Sequence, residues 1–206
     1  MIVADNVGGP NAYRILLVDD DALVLEILRR TLQSAGYETL LASSGAQALD
    51  IIDHHGLPHL AIVDLMMPEM DGFDFCEIVQ AYSDLPVIML TAIDDNRSVI
   101  RGLQLYAEDY VTKPFSPKEI EVRVGRLLRR IGDFSYALKP VIEVDAHLQV
   151  DLAHQRVVVD GVEQALTPTE NKLLHILFRN VGHTVHSEFV IGRLWPLQEV
   201  NKDALR

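Results

Sequence analysis

The chain has 206 residues, enough for one large or two modest domains, and 49% hydrophobic with 23% charged residues suits a buried core. No apolar run approaches the roughly 18 residues of a membrane-spanning helix, the stretch Leu85–Ile93 being about the longest. The net charge of −12 divides into −9 for residues 1–139 (12 Lys and Arg against 21 Asp and Glu) and −3 for residues 140–206 (6 against 9). Neither half has the basic excess of a self-sufficient nucleic-acid binder.

Residues 1–12 carry acids and glycines without a basic start or an apolar block, so they read as a flexible extension and not as a secretory signal. Short apolar runs follow at Ile15–Val18, Leu60–Val63, Val87–Leu90 and Tyr110–Val111, with a weaker strand at Tyr37–Ala42. Helical patterns separate them. Leu25, Leu28 and Leu32 fall at i, i+3, i+7 before a stop at Gly36, and Ile120, Val124, Leu127 and Ile131 fall at i, i+4, i+7, i+11. Continuous apolar strands alternating with helices predict a doubly wound, five-stranded parallel sheet covered on both faces over residues 13–131. Cys76 is the only cysteine, which excludes an intrachain disulfide or cysteine cluster. It reads as a small buried hydrophobe of a helix in a cytoplasmic protein.

Residues 132–140 break the helical period with Gly, Ser and Pro and read as a linker. Beyond it, Leu148–Leu152 and Arg156–Asp160 alternate, and Gly161 turns the chain toward Gln164–Leu166, a small antiparallel sheet. Thr167-Pro168-Thr169-Glu170 starts a helix whose expected apolar stripe is Leu173, Leu174, Ile176 and Leu177. A second helix runs from about Ser187 to Trp195, and a third opens near Asn201.

The functional signal lies at the strand ends. Asp19, Asp20 and Asp21 follow the first strand, Asp64 follows the third, Thr91 ends the fourth, and Lys113 follows the fifth. Ligands of open parallel sheets sit outside the carboxyl ends of the strands, so these groups converge on one edge. An aspartate there can take a phosphoryl group as an acyl phosphate if a cation offsets the repulsion between two anions. Mg²⁺ bound through a few carboxylates supplies that charge. Asp19 and Asp20 are placed to hold it, with Lys113 and the Thr91 hydroxyl toward the phosphoryl oxygens. The plainer reading, acids that only cap helices, suits Asp21 but leaves the coincidence of the other five unexplained.

Residues 13–131 resemble the receiver domain of bacterial two-component response regulators. The resemblance rests on Ile15-Leu16-Leu17-Val18-Asp19-Asp20-Asp21, on Ile62-Val63-Asp64-Leu65-Met66-Met67-Pro68-Glu69-Met70-Asp71-Gly72, on Val87-Ile88-Met89-Leu90-Thr91-Ala92, and on Asp109-Tyr110-Val111-Thr112-Lys113-Pro114-Phe115. It implies a flavodoxin-like fold with Asp64 accepting phosphate from a histidine kinase. It also implies Asp20, Asp64 and the Met66 carbonyl as Mg²⁺ ligands, with Asp19 close by or acting through water. Thr91 and Tyr110 match the pair that repositions on activation, and Lys113-Pro114 matches a cis peptide. One departure is Tyr106, where the family usually has glycine. On phosphorylation the resemblance implies a homodimer using Asp109, Glu119, Arg123 and Arg130, with Asp109 and Arg130 bridging across the two-fold axis. The family's basic residue is absent at Val99 and its acid at Gln104 and Leu105, so Glu119 and Arg123 lose likely partners across that interface and a dimer weaker than in typical relatives is expected.

Residues 141–206 resemble the first part of the winged-helix effector domain of the OmpR/PhoB-type subfamily, through Leu166-Thr167-Pro168-Thr169-Glu170, Leu173-Leu174 and Leu194-Trp195. In that family a third helix enters the DNA major groove, and here Asn201–Arg206 matches only its opening. Arg193, Lys202 and Arg206 are the candidate DNA contacts, and weak DNA binding is expected. His54, His55 and His59, like His183 and His186, read as surface histidines and not as metal ligands. Two other readings stand: an Mg-dependent phosphatase with Asp19 as nucleophile and Asp21 as acid/base, and a receiver acting only through protein contacts.

Overall fold

A computed structural model of the chain describes residues 13–92, 107–131 and 141–195. The N-terminal half holds strands β1 (Arg14–Val18), β2 (Glu38–Ala42), β3 (Leu60–Asp64), β4 (Val87–Ala92) and β5 (Asp109–Lys113), and helices α1 (Ala22–Ser34), α2 (Gly45–His55), α3 (Gly72–Tyr82) and α4 (Pro117–Ile131). The strands form one parallel sheet in the order β2-β1-β3-β4-β5. Every residue of β1 and β3 is buried, as expected of central strands covered on both faces. The chain winds outward in both directions from β1 and β3, so the crevice beyond their carboxyl ends is the switch point of the fold.

Local chemistry fixes where the helices begin. The Asp21 carboxylate accepts the Leu23 N–H and starts α1, Ser44 accepts from Gln47 to start α2, and Asp71 and Asp74 form a reciprocal capping box on α3. One apolar layer joins Leu25, Leu28 and Leu32 to Ile120, Val124 and Leu127 on one face of the sheet, as their spacing predicts. The other layer packs α2 and α3 through Ala48, Ile52, Phe75 and Val79.

The C-terminal half adds an antiparallel sheet of β6 (Ile142–Glu143), β7 (Leu148–Asp151), β8 (Arg156–Val159) and β9 (Val162–Ala165), then α5 (Pro168–Phe178) and α6 (Ser187–Leu194). Val159 pairs with Val162 across Asp160-Gly161, both at positive φ, the geometry that a two-residue hairpin of Asp-Gly type provides. Thr167 and Glu170 box the start of α5, with Pro168 in its first turn.

Two expectations need correction. Leu177 is exposed, and the residues that α5 buries are Asn171, His175 and Ile176, because this face meets the other half of the chain and not solvent. His59 is buried, its Nδ1 accepting the Arg14 N–H at 2.9 Å, so it is not a surface residue. The extension at residues 1–12, the linker at 132–140, Val99, Gln104, Leu105 and Tyr106, and Lys202 and Arg206 lie outside the described residues.

Candidate active site

The parallel register carries the site. Val18 is paired with Val63, so Asp19 and Asp64 leave the sheet at the same level, and Asp64 is itself paired with Leu90, one residue before Thr91. Ala92 is paired with Lys113, which brings the ammonium to the same edge. Ligand atoms of Asp19, Asp20 and Asp64 all lie within 4.8 Å of one another. The Lys113 Nζ donates to Asp19 Oδ2 at 2.7 Å and sits 3.0 Å from Asp64 Oδ2. The Lys113–Pro114 peptide is cis.

The loop behind Asp64 is tightly packed. The Gly72 N–H donates to the Leu65 carbonyl at 3.0 Å. A Cβ on Gly72 would fall 2.5 Å from the Asp64 carbonyl oxygen, so the Asp71-Gly72 step needs a residue without a side chain for α3 to close over the backbone of Asp64. Asp71, in the same motif, is committed to capping α3.

Electrostatics favour a cation. Asp19 is fully buried and Asp64 nearly so, while Asp20 is exposed. Among the described residues three carboxylates face one ammonium, two negative charges more than that ammonium balances. Burial pushes the Asp19 carboxyl above its ordinary range, a rise that the Lys113 hydrogen bond and the Asp21 N–H offset only in part and that Asp64 reinforces. Burial alone would lower the Lys113 ammonium, but bonding to Asp19 and Asp64 outweighs it and the group stays firmly protonated. Carboxylates on adjacent strand ends, one reaching solvent, are the oxygen donor set that suits a hard dication retaining some of its waters.

The remaining candidates fall as follows. Thr91 is buried at the end of β4, and its hydroxyl donates to the Ala92 carbonyl at 3.0 Å. Tyr110 is 56% exposed. Met66 projects its side chain into solvent, so a part in binding falls to its backbone. Asp109 and the last receiver-like helix are paired within the protomer. Arg123 bonds both Asp109 oxygens at 2.9 Å and Glu119 at 2.8 Å, and Arg126 reaches Asp109 at 2.7 Å. Within the protomer Glu119 and Arg123 pair with each other, one turn apart. Arg130 belongs to α4, but its side chain is outside the described residues. Arg193 is engaged by Asp84 and Glu108, so in this arrangement it is not free to meet a phosphate backbone.

Asp84, Glu108, Asn171, His175 and Arg179, which join the two halves, went unnoticed in the sequence. One signal was present: Asn171, His175 and Arg179 recur every fourth residue, a polar row along one face of a helix.

A parallel sheet with this pocket at its switch point defines a receiver domain. The family described as "Response regulator receiver domain" matches residues 15–125. Over 186 residues the chain is 37% identical to the "Probable transcriptional regulator ycf27" of Galdieria sulphuraria, covering 88% of this chain and 72% of that protein. It is 37% identical over 182 residues to the DNA-binding response regulator MtrA of Mycobacterium leprae (strain TN), covering 88% and 79%. The solved receiver domain of the Francisella response regulator 1452 superimposes with a TM-score of 0.54 at 32% identity, over 58% of this chain and 99% of that one. The chain belongs to the two-component response regulators, and its relatives are transcriptional regulators of the OmpR/PhoB type. Among the described residues no helix is long and apolar enough to cross a membrane.

Proposed function

We propose that Asp64 is the phosphoacceptor of a phosphorylation-activated transcriptional regulator, receiving its phosphoryl group from a histidine kinase. The observation that carries this reading is the convergence of Asp19, Asp20 and Asp64 within 4.8 Å with Lys113 bonded to two of them. One Asp64 oxygen forms the new O–P bond as the donor's P–N bond breaks, and the electron pair of that bond returns to the histidine nitrogen. Asp20, Asp64 and the Met66 carbonyl, with Asp19 close by, would hold Mg²⁺, whose charge would offset the repulsion between the two anions. Lys113 pairs with a phosphoryl oxygen, and Thr91 donates a hydrogen bond once its hydroxyl turns from the Ala92 carbonyl. The protein is then a phosphoryl acceptor that promotes its own modification, not an enzyme turning over an outside substrate. It acts in the cytoplasm and passes the signal to DNA through its second half. A homodimer formed on phosphorylation must redirect Asp109 from Arg123 and Arg126.

The phosphatase reading is disfavoured by Asp19 itself. One of its oxygens accepts the Asp21 N–H at 2.9 Å and the other the Lys113 ammonium, so whichever oxygen attacked would compete with a hydrogen bond already in place. Incubation with a small radiolabelled phosphodonor and Mg²⁺ separates the readings. The expected result is a base-labile label that disappears in Asp64→Asn, whereas full labelling of that variant refutes the assignment.

A further inference from the structure

A cavity of about 350 Å³ lies where the two halves of the chain meet, within the size range of small-molecule sites. The phosphoacceptor reading makes no use of it. Its walls come from Pro86 just before β4, Leu127 of α4, Asn180 beyond the end of α5, and Phe189 and Arg193 of α6. These elements are fixed to one another. Ile142, Val150 and Leu152, with Leu174 and Phe178 packed against them, belong to the same apolar layer as Phe75 and Val79 of the receiver. A shared core of that kind holds the walls apart without help from an occupant, so the cavity is formed in advance.

The polar groups of the lining divide into those already used and those left over. Asp84 and Glu108 face Arg179 and Arg193, two carboxylates for two guanidiniums. An occupant therefore need bring no charge, and a charged one would enter a confined site without a counter-ion. Arg193 bonds Glu108 through Nη2 and places Nε 3.2 Å from Asp84, while its Nη1 has no acceptor among the described residues. The Asn180 amide donates to the Ile176 carbonyl at 2.7 Å, which leaves its Oδ1 to accept. Phe189 is 47% exposed and belongs to no apolar cluster of the described residues, with the Arg193 guanidinium 5.9 Å from its ring centroid. A large ring outside every core, on a wall shared with Leu127 and Pro86, offers apolar and stacking surface.

We infer that the cavity binds a small uncharged aromatic amide, its ring against Phe189, Leu127 and Pro86, its carbonyl accepting from Arg193 and its N–H donating to Asn180. An amide presents one acceptor and one donor with no net charge, which is what the unused groups of the lining ask for.

Benzamide is the probe, titrated into the isotopically labelled full chain and followed by magnetic resonance, with benzoate and benzylamine as its anionic and cationic counterparts. Saturable shifts are expected at the Arg193 guanidinium and the Asn180 side-chain amide, with a dissociation constant of about 1–10 mM for so small a ligand. Both charged counterparts are expected to bind roughly fivefold more weakly or worse. Phe189→Ala removes the stacking wall at a position outside any core and is expected to weaken benzamide by about tenfold. Asn180→Ala is expected to weaken it by about fivefold, and answers the question if Phe189→Ala does not fold. Shifts that fail to saturate, equal binding of the three probes, or folded variants that bind benzamide as the parent does, each overturn the site. None of these results depends on which aspartate accepts phosphate.

Discussion

Two buried carboxylate clusters occupy opposite ends of one sheet, and they differ in how their charge is balanced. At the carboxyl ends of β1 and β3, three aspartates face a single lysine, and one of them, Asp20, opens to water. At the amino ends of β4 and β5, Asp84 and Glu108 face Arg179 and Arg193, with Lys172 beside them. Among the described residues the first cluster is short of two positive charges and has access for a hydrated cation, so its groups are held in place for something that arrives. The second is complete within the chain. Its guanidiniums are planar forks suited to a fixed partner, where the Lys113 ammonium is a point charge that can move from carboxylate to phosphoryl oxygen. Burial raises both Asp19 and Asp84, so a shifted acid alone does not distinguish a reactive site from a structural one. The count of opposing charges does.

The widest separation between the clusters is expected in stability. Asp84→Asn leaves the nearly buried Arg179 without its carboxylate and is expected to lower the unfolding free energy by about 2–3 kcal/mol, below the upper range for a fully buried pair because Arg193 is partly exposed. Asp20→Asn relieves repulsion at an exposed position and is expected to leave stability unchanged or slightly raised. Urea denaturation of both variants without divalent cations measures the contrast, and equal losses would remove the distinction.

Magnesium sharpens the same comparison from the other side. A ligand that binds only the folded chain adds about 2.7 kcal/mol at a hundred times its dissociation constant. That increment is expected in the parent and in Asp84→Asn, and is expected to be largely lost in Asp20→Asn. Thermal melts over a Mg²⁺ titration give the answer, and an increment lost in Asp84→Asn but kept in Asp20→Asn would reverse the assignment.

Acid acts on the contact between the two halves through His175. Burial, then Arg179, His59, Arg193 and Lys172, holds its ring well below the ordinary histidine range. The folded chain therefore binds fewer protons than the unfolded one, and stability rises with pH wherever that holds. The His175 contribution is intact above the unfolded value near 6.5 and falls by up to about 1.4 kcal/mol per pH unit below it. Asp84 works in the opposite sense, but from the carboxylate range upward, so the comparison belongs between pH 7.5 and 5.5. His175→Gln, which keeps an acceptor for the Asp84 N–H without titrating, is expected to flatten the slope of urea stability against pH in that window. An unchanged slope would show that His175 takes up its proton equally in the folded and unfolded chain.

Much of the receiver was legible because its strands and helices follow simple periods. Ile15–Val18 and Leu60–Val63 are uninterrupted apolar runs, and the reactive residues stand directly after them, where chain topology alone brings them together. The contact between the two halves was illegible for the opposite reason. Asp84 sits in a short polar turn that reads like any other, and Asn171, His175 and Arg179 lie beside the leucines expected to form the stripe, because their partner is a polar edge 90 residues or so away in sequence and not a hydrocarbon core. Pairing across that distance leaves no local pattern.

The smallest expected effect concerns Cys76. Burial, with Asp71 nearby, pushes its thiol up to about 12, so almost none is thiolate at pH 8. Alkylation of the native chain at that pH is expected to be negligible over hours and complete in denaturant. Rapid native modification would show that α3 opens beside the pocket.

The central claim concerns which carboxylate carries the phosphoryl group. Treating the chain with a small phosphodonor and Mg²⁺, then with borohydride, converts an aspartyl phosphate to homoserine, whose position mass spectrometry reads directly. The account predicts homoserine at residue 64, dependent on Mg²⁺ and on Asp20, and unaffected by Asp84→Asn. Homoserine at residue 19, or at no aspartate of the pocket under conditions that phosphorylate a known receiver, would contradict it.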